Sequence, residues 1–378
     1  MELKEFQKEL AKNKVYDAWF FVNSLSEQLN YMSVSKELVE RVYSERLRQL
    51  DKKAEEIFAE ATKDGKVTVK QSDLQGANIK ISELQIEDGM FLRKTIAEFF
   101  HYARVSIDIL FQIINAALFG DKSTQVDSKY MISYVNNKID SNVDFSTLKT
   151  LLDNNKNDLI FKYLQAFDNY TKHIKTILVS VNNSFMFGDK NEFYISEFTY
   201  KSISYPSEDA LLILEKIENY VLRTINTVLD EVRVQLPNCL DVSSRIHDLS
   251  FKIIVKNNVQ ADITQYVSFF IDVQNDISEL PSEIRVYPLI IKPNDEIYDF
   301  KFNFPKIFIK KAAGGEETIV GIAELKSEQD SNELYRVYEV RNCNMPEYIK
   351  YITTFVDNYP KVNLNWAAMT GTIVMVGE

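Results

Sequence analysis

The hydrophobic periodicity of this chain changes at Pro237, and that change limits the folds open to it. Before Pro237, apolar residues recur at three- and four-residue spacing, the period that turns one stripe of an α-helix toward a core. After it come FKIIVK, YVSFFIDV, IRVYPLII, TIVGIAEL and LYRVYEV, short runs rich in β-branched and aromatic side chains that suit a pleated surface. The expected fold class is α+β: an N-terminal multi-helix bundle over 1–236, a linker at 237–248, and a C-terminal β-rich domain with one helix over 249–378. A length of 378 residues agrees with two domains, because single cores stop growing before that size.

With only 10 Gly and 8 Pro, long regular elements should dominate over loops. The spacing predicts helices over 2–31 and 36–62, with Ser35 as the N-cap of the second and Asp64-Gly65 closing it. KVTVKQSDLQGANIKISELQ then reads as short strands or an irregular linker. A third helix should run from about Glu87 to Phe119 and stop at Gly120, a residue at ease in the left-handed conformation past a helix end. A fourth, interrupted near Asn154-Asn155, should continue through IFKYLQAFDNYTKHIKTILVSVNN, and a fifth should start at Ser207 and end about Leu236. In the β-rich part, Phe300, Phe302 and Phe304 alternate with Lys301 and Asn303, Gly314-Gly315 reads as a hairpin turn, and a helix at Pro346–Val356 precedes a last strand, GTIVMVGE.

A net charge of −11 excludes nonspecific coating of DNA, which depends on neutralising phosphates, although a small basic groove for RNA stays open. Cys239 and Cys343 form no metal-ligand spacing and no disulfide framework. MELKEFQKELAKNK is charged from its second residue and lacks the apolar core of a signal peptide, so a cytoplasmic location is expected. Val105–Phe119, the most apolar run, is interrupted by Asp108, Gln112 and Asn115 and is shorter than the roughly 20 residues that span a bilayer. It reads as a core helix, with no membrane partner implied.

His101, Arg104, Asp108, Gln112 and Asn115 fall within an arc of about 80° on that third helix, at 100° per residue. Nearly every other position there is apolar. Arg104 and Asp108 are four residues apart, the spacing at which an ion pair closes along a helix. The stripe is a thin solvent-facing strip or a satisfied network inside the bundle, or else the lining of a site; exposed strips use Lys and Glu more than His, Asn and Gln. A His beside a carboxylate and an Arg has the ingredients for proton transfer and for holding a phosphate. On the fourth helix Lys162, Gln165, Asn169, His173, Thr176 and Ser180 share a second arc, which Asp168, Lys172 and Lys175 widen into a polar side. His173 lies at its border, so the candidate catalytic constellation is His101, Arg104, Asp108 and His173.

Helices ahead of a small appended domain, with FFHYARVSIDILFQIIN on one and NYTKHIKTI on the next, resemble the HEPN superfamily of helical bundles over roughly residues 1–236. That superfamily includes metal-independent RNases of bacterial toxin and phage-defence systems, whose signature is an Arg followed after four to six residues by His. Here Arg93 and His101 are separated by seven residues, Arg245 and His247 by one, and no Arg lies shortly before His173. The resemblance therefore implies a binding or inactive member.

A second pattern lies in the β-rich part. TIVGIAELK places Glu324 and Lys326 at the end of one expected strand, and Asp299 begins another. Two carboxylates on adjacent strands with a lysine can hold Mg²⁺ or Mn²⁺ and activate water at a phosphodiester. The set resembles PD-(D/E)xK nucleases, without the leading Pro-Asp and with loop and strand where that family has a helix. No Walker A, Rossmann glycine, H-E-x-x-H, G-x-S-x-G or zinc-finger pattern occurs. The sequence thus points first to a non-catalytic binding or regulatory protein of a bacterial defence or toxin-type system, without a cofactor and with a protein partner or a second copy. The alternatives are a metal-independent RNase in the bundle and a metal-dependent nuclease using Asp299, Glu324 and Lys326.

Overall fold

The computed structural model describes residues 3–13, 15–65, 78–120, 128–182, 191–240, 247–258, 266–273, 280, 282–287, 289–291, 297–299, 306–313, 316–326, 336–345 and 372–377. The fold is α+β, an N-terminal helical bundle followed by a C-terminal β-rich part. By internal contacts the chain divides into two units, 21–114 with 127–237 and 2–20 with 115–126 and 238–378.

Helix α1 (Leu3–Lys12) buries Phe6 and Leu10. It closes at Asn13, whose N–H and side-chain amide both donate to Glu9 O, at 3.0 and 2.9 Å, while the Val15 N–H reaches back to Leu10 O at 2.8 Å. Helix α2 (Tyr16–Asp64) then runs 49 residues, and its chain holds no Gly or Pro. The break expected at 32–35 lies instead at 13–15, and Ser35 is not a cap. Spaced three from Met32 and four from Val39, Ser35 falls on the buried stripe of a continuous helix. Gly65, at φ +68°, ends α2 as expected.

A hairpin of β1 (Asn78–Ile81) and β2 (Leu84–Glu87), turning through Ser82 at φ +56°, leads into α3 (Asp88–Ile114). A π-turn over Asn115–Phe119 extends α3 to Gly120, whose N–H donates to Asn115 O at 2.8 Å and whose φ is +63°. The segment Asp88–Phe119 is long and apolar enough to cross a membrane, yet 67% of its most apolar stretch is buried inside the protein. The neighbours of α3 in the bundle are α4 (Ser128–Asp140), α6 (Leu159–His173) and α7 (Ala210–Gln235), with α5 (Ser146–Asn157) against α4, α6 and α7.

Two expectations about these helices need correction. Asp158 separates α5 from α6 and caps α6 by accepting the Ile160 N–H at 2.7 Å, and α6 stops at His173 rather than continuing to about 183. The β-branched residues beyond it enter β3 (Val179–Asn182), which pairs with β4 (Glu192–Ile195), so Thr176 and Ser180 do not share a helical face with His173. Strands β5 (Phe198–Tyr200) and β6 (Ile203–Tyr205) form a hairpin, and β7 (Glu208–Asp209) adds to β4. The cap of α7 is Asp209, which accepts the Leu212 N–H at 2.8 Å; the Ser207 hydroxyl donates to Ile195 O instead.

After a 3₁₀ turn at Leu236–Cys239 the chain forms β8 (His247–Asn258), β9 (Tyr266–Val273), β10 (Glu283–Tyr287), β11 (Leu289–Ile291), β12 (Ile297–Asp299), β13 (Lys306–Ala313), β14 (Glu316–Leu325), β15 (Arg336–Met345) and β16 (Thr372–Gly377). Seven of these close a barrel in the order β10-β15-β14-β13-β9-β8-β16, while β11 and β12 pair with each other. All barrel pairs are antiparallel except β9 with β13. Closure removes the open edges that would otherwise template pairing with another chain. Ile307, Ile309, Ile319 and Ala323 are buried with the period of two that a strand imposes. Between the last two, Gly321 lies against Leu280: a Cβ there would come 2.5 Å from Leu280 Cδ1, and that side chain would have to shift. Register Ala313↔Glu316 puts the expected Gly314-Gly315 turn between paired strands, although 314–315 themselves, Phe300–Phe304 and the helix expected at Pro346–Val356 lie outside the described residues.

Candidate functional site

Because α3 is apolar almost all round, it sits among other helices, and His101 and Arg104 of its polar row face α6. Arg104 and Asp108 meet one turn apart, Nη1 to Oδ1 at 2.7 Å, with the Arg104 side chain 12% exposed. The N–H is not aligned on the oxygen, so this is an ion pair more than a hydrogen bond. The partner that α6 contributes is Asp168, which is 5% exposed: Lys172, one turn on, donates to its Oδ2 at 2.8 Å, and His101 Nδ1 lies 3.6 Å from its Oδ1. The sequence pattern places Asp168 on an outer polar side, whereas the structure turns it inward. Its spacing of four from Leu164 and its neighbours Phe167 and Tyr170, all buried, are the signal for an inward carboxylate.

Burial holds the Asp108 carboxyl above the ordinary aspartate range; Arg104 and Lys172 oppose that shift and Asp168 reinforces it. A carboxyl whose folded pKa is raised adds stability while protonated, and that stability is lost as pH rises from the unfolded value of about 3.9 through the higher folded one. Asp108→Asn cannot ionise and loses this slope. Urea unfolding at a series of pH values should therefore show wild type and variant diverging in the variant's favour as pH rises through that window. Parallel curves would contradict the assignment.

Beside the row lies a cavity of about 170 Å³ within the bundle. Its walls are Arg104, Ile107, Leu110 and Phe111 of α3, Ile132 and Asn136 of α4, Leu152, Asp153, Asn155 and Lys156 of α5, Phe161 and Gln165 of α6, and Thr224 of α7. The Arg104 guanidinium carbon is 5.3 Å from the centroid of the Phe161 ring, a cation–π contact. Asn155 is fixed from α7: its side-chain oxygen accepts from Thr224 at 3.2 Å and its carbonyl from Tyr220 at 3.2 Å. Burial pushes the Tyr220 phenol up to about 12, so it remains a donor at neutral pH. Asp153 and Lys156 are exposed and mark the mouth.

The other sequence-predicted residues lie elsewhere. His173 ends α6, exposed, and its side chain makes no hydrogen bond or ion pair among the described residues; Asp168, not His173, faces His101. Asp299 ends β12, whose partner is β11, whereas Glu324 lies on β14 between β13 and β15, so their strands are not neighbours as the nuclease pattern requires. Glu324 is engaged by Lys306 at 2.9 Å and Arg341 at 3.6 Å, and the Lys306 hydrogen bond holds its carboxyl below the ordinary range. The Lys326 N–H donates to Val337 O. Among the described residues no group of three His, Cys, Asp or Glu side chains could hold a metal ion.

Residues 247–364 match a domain of unknown function, DUF8310. The match takes in β8 to β15, less than a third of the chain, and leaves the helical unit with its polar row and cavity outside it. Comparison with the curated proteins and with the solved structures gives no match.

Proposed function

We propose that this protein is a non-catalytic binding or regulatory component whose helical unit carries the binding site. The observation behind this reading is the mutual pairing of the charged side chains here: Arg104 is held by Asp108, and Asp168 by Lys172. Charges tied to one another in a bundle fix packing and ligand orientation, and ion-pair networks of this kind are commonly structural. The HEPN-like resemblance adds a context, a cytoplasmic bacterial defence or toxin-type system with a protein partner or a second copy. Labelled single-stranded RNA and DNA, each incubated with the purified protein plus Mg²⁺ or Mn²⁺ and separately with chelator, should remain intact. Cleavage in any lane would overturn the reading.

A metal-independent RNase is the second reading. It draws on one feature, the half-exposed His101 with its Nδ1 turned to the buried Asp168, since a carboxylate behind an imidazole orients it for proton transfer. Cleavage that survives chelator and is lost in His101→Gln would favour it. The metal-dependent nuclease has less support, because Asp299 and Glu324 lie in different sheets and Glu324 already has two cationic partners.

A further inference from the structure

The binding reading says that the bundle holds something; the cavity beside Arg104 narrows what. We propose that it takes a small organic carboxylate whose apolar body is about the size of one benzene ring. This rests on the binding role above and adds the ligand's chemical class.

Size comes first. A cavity of about 170 Å³ is close to the roughly 150 Å³ that accommodates a single benzene in a protein core, which excludes nucleotides and peptides as fully enclosed ligands. The wall is mostly apolar: Ile107 and Leu110 are buried, and the Phe161 ring provides a flat face. A bare phosphate or sulfate would leave that wall without a partner. Charge then selects the polar end. Two cations, Arg104 and Lys156, line the space against one carboxylate, Asp153 at the mouth.

Arg104 is the deeper of the two cations. Its Nη1 is committed to Asp108 and its flat face to Phe161, and among the described residues it makes no aligned hydrogen bond. A guanidinium has five N–H donors, and one so enclosed gains most from an acceptor with two oxygens in a plane. The Gln165 amide can add a neutral hydrogen bond beside it. A neutral aromatic molecule would fill the volume and leave the guanidinium donors unused.

The test uses the full-length protein and benzoate as the probe. Benzoate should raise the thermal unfolding temperature in a dose-dependent way, while benzamide, its neutral near-isostere, and inorganic phosphate should not. On wild type, intermolecular NOEs should connect the benzoate ring protons with methyl groups of Ile107, Leu110 and Ile132. Arg104→Lys keeps the charge opposite Asp108 but loses the planar fork, and should weaken benzoate binding by about tenfold or more. The inference is overturned by equal shifts with benzamide, by the absence of those NOEs, or by no response to millimolar benzoate. A negative benzoate result with RNA left intact removes the ligand class alone. RNA cleavage alongside benzoate binding removes the non-catalytic reading and leaves the ligand class standing.

Discussion

Replacing Asp88 by alanine should destabilise the helical unit by about 3–5 kcal/mol, among the largest effects of any single polar substitution in it. Asp88 opens α3 with its side chain 2% exposed, and its Oδ1 lies 2.6 Å from Nη1 of Arg46 on α2, itself 14% exposed. Two terms add. The carboxylate sits at the positive end of α3, where it is favoured, and its loss strands a guanidinium that the surrounding helices keep from water. Urea unfolding followed by helical circular dichroism measures the change, and a drop in melting temperature of roughly 10 °C should accompany it. The contrast is Glu45→Ala, which breaks the exposed pair with Arg48 within α2 and should leave stability unchanged. If Asp88→Ala behaved like Glu45→Ala, the pair would not be desolvated. The double variant Arg46→Met with Asp88→Leu should recover most of the loss, because the cost lies in the unpaired charge and not in the absence of a salt bridge.

Phe100→Ala should cost a similar amount, about 3–5 kcal/mol, by a different route. Phe100 is fully buried on α3 and stacks on Phe167 of α6, ring centroids 3.7 Å apart at 22°. Phe167 in turn meets Phe198 of β5 edge-on at 6.0 Å, and Phe198 stacks on Tyr205 at 4.9 Å. Truncating Phe100 leaves a void at the head of this column that close-packed rings cannot fill without leaving their rotamers. The effect should reach the candidate site, because His101 follows Phe100 and Asp168 follows Phe167, so the stack sets the spacing of that pair. Phe100→Leu should recover part of the stability. A loss below about 1 kcal/mol in Phe100→Ala would show that the site collapses freely, against the packing described.

The helical unit was legible in the sequence where pattern and punctuation agreed. α3 could be placed from Glu87 to Phe119 because its apolar run is long and Gly120 marks its end with a conformation other residues resist. It failed where a local signal had two meanings. Ser35 is a good capping residue, but in a segment without Gly or Pro it lies on the buried stripe of α2 and the helix passes through it. The helical period that continues past His173 is equally compatible with a strand over four residues, and pairing with β4 settles it as β3. The short strands between 192 and 209 leave too few positions for any period to show.

The candidate site divides in the same way. Arg104 and Asp108 were readable as a pair because four residues on one helix fix their distance, whatever surrounds them. Asp168, Phe161 and Thr224 were not, because each reaches the row or the cavity from another helix.

What the sequence determined by itself was the type and order of the long elements, with the long helices before Pro237 and the long strands after it, since a period of 3.6 or 2 decides which face each segment can bury. Only the tertiary structure decided which elements meet: Arg46 with Asp88, His101 with Asp168, β9 parallel to β13, and β16 closing the barrel between β8 and β10. Those pairings depend on how distant segments approach one another. That approach is set by packing across the core and leaves no repeating mark along the chain.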